Sequence, residues 1–459
     1  MSAEAMLSVY GFMMVATFMT LIMTKRVIPL VALIIIPIAF GLIAGFAGGL
    51  GPMMLDGISK IAPTGVMLMF AILYFGVMID AGLFDPMVGA LLKIVHGDPV
   101  KIAMGTVVLA IFVSLDGDGS TTYMITVAAL LPLYKRMGLN PLMLAGLIIL
   151  SSGLMNTTPW GGPTARAASA LQLDASAIFV ALLPGVVAGI GGLLAIAYFY
   201  GMTERRRLAK LGLSGLEGFG LEMPAVKAGE EGIDRLAVDR RGDLTVSPEP
   251  DARRPQLLWF NAALTVLLIV LLILAVLPLP VLFMCAFCVA VVVNYRKIDD
   301  QKARVATHAP NALAVASLIF AAGIFTGILN GTGMVAAMSR SLLDIIPPPL
   351  GPYMAPITAV ISLPMTFFIS NDAFYFGMLP ILAESAAHYG ISREAMAAAS
   401  LIGQPLHLLS PLVPSTYLLV NMAGVDFADH QKYTFKWALL ICLVFALASL
   451  AVGAFPFVA

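Results

Sequence analysis

The chain is dominated by apolar runs about as long as a bilayer is thick. A spanning α-helix needs about 20 mostly apolar residues. Stretches near 6–23, 27–47, 63–80, 176–201, 258–276, 279–293, 311–330 and 433–457 provide them, the run at 279–293 being the shortest. Only 11% of the 459 residues are charged, against about 25% in soluble domains. The chain therefore reads as an all-α, polytopic membrane protein whose surroundings are the lipid bilayer. Its 26 basic and 26 acidic residues cancel, so bulk electrostatics give no case for a nucleic-acid partner.

Two further stretches, about 141–171 and 393–424, are apolar at both ends but interrupted by Pro, Gly and hydroxyl residues. They read as broken helices, which brings the expected crossings to about 10. Two more, about 102–134 and 353–389, carry acids at their centres: Ser114-Leu115-Asp116-Gly117-Asp118-Gly119 and Ser370-Asn371-Asp372. A straight helix cannot hold acids against lipid at mid-membrane, whereas a re-entrant hairpin with a protein-buried tip can.

Basic residues orient this map. If the first helix runs outside to inside, 22 of the 26 Lys and Arg residues fall on the cytoplasmic side. Lys60, Arg340 and Arg393 lie outside, and Arg166 lies within a broken helix. Both termini are then expected outside. Treating either hairpin as a full crossing would move large basic groups to the wrong face. The first run has no basic segment before it and is followed by Lys25-Arg26, which predicts a retained membrane helix.

Residues 202–257 carry 20 of the 52 charges, ten of each sign, and read as a flexible cytoplasmic linker. It divides the chain into 1–201 and 258–459. Each part holds five crossings and one hairpin in the same order, and an odd number of crossings turns the second part upside down, as in an inverted-topology repeat. At a shift of 252, Gly138, Ala145, Leu154, Pro159, Thr164 and Asp174 meet Gly390, Ala397, Leu406, Pro411, Thr416 and Asp426. Cys285, Cys288 and Cys442 sit in apolar runs without flanking His or acid, and read as membrane-helix residues rather than a redox or metal site.

Four places thus combine irregular backbone with membrane depth. Each break offers N–H groups at one helix end and carbonyls at the other, suited to anions and cations respectively. The first broken helix reads Asn156-Thr157-Thr158-Pro159-Trp160-Gly161-Gly162-Pro163-Thr164-Ala165-Arg166. Its glycines allow close approach of a ligand, and its amide and hydroxyls supply neutral hydrogen bonds. Arg166 needs a partner there: a substrate carboxylate, or an internal acid such as Asp118. The second break contains His407, Ser410, Ser415 and Thr416. His407 is either a proton relay or a satisfied hydrogen-bonding residue. Asp116, Asp118 and Asp372 are candidates to exchange a proton for a metal or for substrate charge, or to cap a hairpin helix.

These residues resemble the citrate–divalent-metal:proton symporters (CitMHS) of the ion transporter superfamily. The likeness runs through Gly82-Leu83-Phe84-Asp85-Pro86-Met87, Leu115 to Thr126 (with Ser120 and Thr121), Asn156 to Ala168, Phe320 to Leu329, Ser370 to Gly377, and His407 to Thr416. The resemblance implies import of citrate as its complex with a divalent metal of the magnesium or calcium class, driven by proton entry across a bacterial inner membrane. It also implies a homodimer with a fixed scaffold and an elevator-type transport domain, and no permanently bound cofactor. Ser114, Ser120, Thr121, Asn156, Thr157, Thr158, Gly161, Gly162, Thr164, Arg166, Ser370, Asn371, Ser410, Ser415 and Thr416 would then contact substrate. Asp116, Asp118, Asp372 and His407 would carry protons, the three acids also touching the metal. Sodium-coupled relatives carry Ser-Asn-Thr at both tips; this chain has Ser114-Leu115-Asp116 and Ser370-Asn371-Asp372 instead, which favours protons. Citrate bound to one divalent cation keeps a single negative charge and is easier to desolvate than the trianion.

Two other readings remain at this stage. A sodium/proton or arsenite antiporter of the same superfamily would use the acids but leave Arg166 without a carboxylate ligand. An intramembrane aspartyl protease pairing Asp116 or Asp118 with Asp372 would leave the repeat unexplained.

Overall fold

As a computed structural model, the structure describes residues 3–95, 97–117, 119–210, 252–274 and 276–459. Helices α1 (Ala3–Met23), α2 (Pro29–Ile43), α3 (Leu50–Asp80) and α4 (Asp85–Val95) precede a first helical hairpin, α5 (Pro99–Val113) and α6 (Gly119–Arg136). Then come α7 (Pro141–Met155), α8 (Gly162–Leu171) and α9 (Ala175–Lys210). After the insert follow α10 (Leu258–Ile273), α11 (Leu279–Asn294), α12 (Ile298–Gly331) and α13 (Met334–Leu343). A second hairpin is built from α14 (Met354–Phe368) and α15 (Leu379–Ala387), and α16 (Arg393–Ser400), α17 (Gln404–His407), α18 (Pro414–Ala423) and α19 (Phe427–Ala451) complete the chain. No strand occurs among the described residues, and seven of their helical spans are long and apolar enough to cross a bilayer.

Local chemistry sets where these helices begin. Asp98 accepts the Val100 N–H at 3.0 Å and Asn140 the Leu142 N–H at 2.9 Å, each followed by Pro at the first helical position. Ser392 accepts the Ala395 N–H at 3.1 Å and Asp426 the Ala428 N–H at 2.8 Å. Such side chains satisfy N–H groups that a helix start leaves without partners. Several devices recur 252 positions apart. Asn140 and Ser392 both cap, as do Asp174 and Asp426. Gly138 and Gly390 both take positive φ, and so do Gln172 and Gly424.

The centre of the fold is the crossing of α3 with α12. Gly57, Gly323 and Gly327 let the two backbones nearly touch: a Cβ on Gly57 would lie 2.0 Å from the Gly323 carbonyl, and one on Gly327 would lie 2.3 Å from that of Met53. Small residues bring membrane helices together in this way. Helix α2 packs on α12 and α11 on α3, while α1 packs on α13. On the other side, α5 lies against α7 and α9, and α9 against α19. The partners cross over between the halves: α18 packs on α6, and α8 on α15.

Several elements differ from the hydropathy reading. Helices α4 and α13 lie between the apolar runs and were not foreseen. Helix α9 continues to Lys210, past the start of the charged insert, because Glu204 turns inward to accept the Asn140 N–H at 3.1 Å and to pair with Arg207 at 2.7 Å. The end of the insert is docked: the Arg254 N–H donates to the Ala81 carbonyl at 3.1 Å and its side chain to that of Asn294 at 2.7 Å. The stretch 211–251, and with it most of the expected flexible linker, lies outside the described residues. Arg304, one of the 22 basic residues expected on the cytoplasmic side, is buried in α12 and pairs with buried Asp80 at 3.2 Å; His308 reaches the same carboxylate oxygen at 2.8 Å.

Candidate functional site

The first hairpin turns through a short 3-10 segment, Ser114–Asp116, and through Gly117, whose φ of +77° lets the chain reverse before α6. The Trp160 indole N–H donates to the Leu115 carbonyl at 2.7 Å and so clamps the tip to the loop between α7 and α8. Ser114 lies 3.0 Å from the Ser152 hydroxyl and accepts from Thr122 at 3.2 Å. Ser120 and Thr121 stand half-buried on the first turn of α6. Asp116 is described in its backbone alone, and Asp118 lies outside the described residues.

The α7–α8 break is closed largely by its own groups. The Gly161 N–H donates to the Thr158 carbonyl at 2.8 Å, and a Cβ there would sit 2.1 Å from the Asn156 carbonyl oxygen. That glycine is needed to close the loop, and its N–H is engaged rather than offered to a ligand. Thr157 donates to the Leu154 carbonyl at 2.7 Å, and Thr164 reaches that of Asn156 at 3.5 Å. The Thr158 hydroxyl is buried without a hydrogen-bond partner among the described residues. Gly162 leaves room for the Arg166 guanidinium, whose Nη1 would lie 2.8 Å from a Cβ there.

The second hairpin and second break hold one another. Helix α14 ends at Phe368 with carbonyls that lack helical partners. His407 Nδ1 lies 2.6 Å from the Thr366 carbonyl and the Ser410 hydroxyl donates to that of Phe367 at 2.6 Å. A carbonyl only accepts, so Nδ1 carries the His407 proton. Thr416 donates to the Leu408 carbonyl. At the tip, the Ser370 hydroxyl accepts the Ala373 N–H at 3.2 Å and starts a π-helical turn, Ala373–Met378. Gln404 Nε2 donates to the Tyr375 hydroxyl at 2.7 Å and reaches Asn371 Oδ1 at 3.4 Å.

The two halves meet at Arg166 and Asp372. Arg166 Nε donates to Asp372 Oδ1 at 2.6 Å, the side chains being 22% and 12% exposed. This joins the first broken helix to the tip of the second hairpin. The reciprocal approach is looser: a Cβ on Gly119, at the first hairpin, would lie 3.7 Å from Ser415 Oγ in α18. Of the sequence-derived residues, Gly162, Ser370 and Asn371 adjoin this pair, and His407 lies within electrostatic range of it. Ser114 belongs to the separate Ser152–Thr122 cluster. Gln404 and Tyr375 were missed, although Gln404 is an amide in an otherwise apolar stretch. Among the described residues no three His, Cys, Asp or Glu side chains gather as metal ligands.

Chemically, the pair is an exchangeable one. A guanidinium and a carboxylate taken from water need each other, and a second carboxylate can compete for the same N–H donors.

The citrate transporter family profile (CitMHS) matches residues 11–403. A citrate transporter of Bacillus subtilis (strain 168) is 53% identical over 455 residues, covering 98% of this chain and 100% of that protein. A Mg(2+)/citrate complex secondary transporter of the same organism is 48% identical over 450 residues, covering 98% and 99%. The fold is shared, at 15% identity, with the YdaH transporter of Alcanivorax borkumensis (TM-score 0.54, covering 90% of each chain). It is also shared, again at 15% identity, with MtrF of Neisseria gonorrhoeae (TM-score 0.58, covering 89% of this chain and 85% of that one).

Proposed function

The chain belongs to the CitMHS family of citrate transporters, and from that premise we propose that it imports citrate complexed with a divalent metal, magnesium first among them, together with protons. It is a multi-pass membrane transporter and not an enzyme. The observation that carries the coupling is the 2.6 Å contact between Arg166 and Asp372. Within the pair, each side chain answers the other's charge. A citrate carboxylate reaching the site competes for the guanidinium and leaves Asp372 as a buried acid without its counter-charge. Taking a proton relieves that cost, so substrate and proton enter together. The metal arrives as part of the substrate and lowers its net charge before desolvation.

Asn371 and Ser370 at the tip, and Asn156, Thr158 and Thr164 at the first break, supply neutral hydrogen bonds around the complex. The devices that recur 252 positions apart and the crossed packing of α18 on α6 and α8 on α15 support an inverted repeat. On this reading the hairpins and broken helices move as one transport domain in a homodimer of the bacterial inner membrane, with both termini outside. Uptake of labelled citrate into proteoliposomes under an imposed pH gradient, with and without magnesium, tests the proposal. Accumulation that needs both the metal and the gradient supports it, whereas sodium-driven, metal-indifferent uptake overturns it.

A further inference from the structure

Gln404 is fully buried at the start of α17 and reaches across to the second hairpin tip. Its nitrogen end is fixed by its neighbours. The Tyr375 hydroxyl donates to the Ser400 carbonyl at 3.3 Å, so its oxygen must accept, and Gln404 Nε2 is the donor at 2.7 Å. The opposite end of the same amide, Oε1, is buried and has no hydrogen-bond partner among the described residues. An unpaired buried carbonyl is costly, and a native structure that keeps one calls for a partner that reaches it. Asn371, which accepts from the amide, is next in the chain to Asp372, so the Gln404 side chain adjoins the tip that meets Arg166.

We propose that Gln404 determines specificity by accepting, at Oε1, a hydrogen bond from the hydroxyl group of the bound hydroxy-tricarboxylate. This rests on the citrate reading above and deepens it. Ionised carboxylates only accept, so the alcohol is the one donor that citrate itself brings. A metal-bound alcohol is a stronger donor still. The site would therefore reject a tricarboxylate that lacks the hydroxyl, because the amide oxygen would stay unpaired.

The test compares labelled citrate uptake with inhibition by tricarballylate, which has the same three carboxylates and no hydroxyl, at fixed magnesium in proteoliposomes. Metal binding by each acid in solution is the same for every variant, so ratios between variants cancel it. Gln404→Met keeps the side-chain size and removes the acceptor. Its preference for citrate over tricarballylate is expected to fall by about ten- to a hundredfold relative to the unmodified protein, the cost of leaving one buried acceptor unpaired. Gln404→Glu keeps an acceptor oxygen and is expected to retain the preference, and it answers the question if the Met variant does not insert. An unchanged preference in Gln404→Met, or a lost one in Gln404→Glu, overturns the proposal, since a structural defect alone weakens both acids equally. Failure of the unmodified protein to take up citrate at all sinks the substrate reading instead.

Discussion

Arg166 and Asp372, 206 positions apart in the chain, share a 2.6 Å hydrogen bond between Nε and Oδ1. The contact makes the first broken helix and the second hairpin tip a single electrostatic unit. Any ligand that engages one of the two charges changes what the other must do.

Removing only the arginine strands a largely buried carboxylate, which costs more than removing both charges. Arg166→Ala is expected to lose uptake and to melt at a lower temperature in detergent. Arg166→Ala with Asp372→Ala is expected to regain most of the thermal stability while remaining inactive. Equal melting temperatures for the single and double variants would argue against a stabilising pair.

His407 is held by its Nδ1 donation to the Thr366 carbonyl at 2.6 Å. Asparagine can place an N–H donor near the same spot. His407→Asn is therefore expected to retain proton-driven uptake, whereas His407→Leu leaves the carbonyl unpaired at a cost of about 1–3 kcal/mol. Measured pH-driven accumulation in the two variants decides this, and its loss in the asparagine variant with citrate exchange retained would assign His407 a proton-carrying role.

The α3–α12 crossing leaves no room beside Gly57. Gly57→Ala and Gly327→Ala are expected to reduce the yield of monodisperse protein sharply, because the atoms in the way are backbone. Gly51→Ala, with nothing within 4 Å of its new Cβ, is the control and is expected to be neutral or mildly stabilising. Size-exclusion profiles of the three variants report the difference.

The Trp160 indole is the clamp on the first hairpin tip, donating to the Leu115 carbonyl at 2.7 Å. Trp160→Phe keeps the aromatic packing against Phe75 and Phe283 but removes the donor. The expected loss is about 1 kcal/mol of stability together with slower maximal uptake at unchanged citrate affinity. Initial rates across citrate concentrations separate the two effects.

Much of this architecture was legible because polar residues inside long apolar runs are conspicuous. The Pro and Gly clusters between Asn156 and Pro163 announced the first break, and Arg166 stood out as the one basic residue placed within the membrane. Its partner was not legible: spacing along the chain cannot choose among Asp116, Asp118 and Asp372, since only the fold brings residue 372 to α8. Hydropathy also mistook the membrane surface for the ends of helices. Helices α9 and α12 run on beyond their apolar parts, and there Glu204 and Arg304 are buried through pairing rather than exposed to water, Arg304 with Asp80 at the end of α3. Amphipathic α4 and α13 carry no long apolar run and gave no such signal. The conspicuous glycines at 161 and 162 also serve the loop's own closure and the seat of the guanidinium, which the sequence did not announce.

In the proposed coupling, Asp372 takes the proton when substrate engages Arg166. It is tested most directly by comparing, in Asp372→Asn proteoliposomes, citrate exchange across the membrane with accumulation driven by an imposed pH gradient. Exchange of magnesium-citrate is expected to persist while accumulation against a citrate gradient is lost. Full pH-driven accumulation in Asp372→Asn would contradict it.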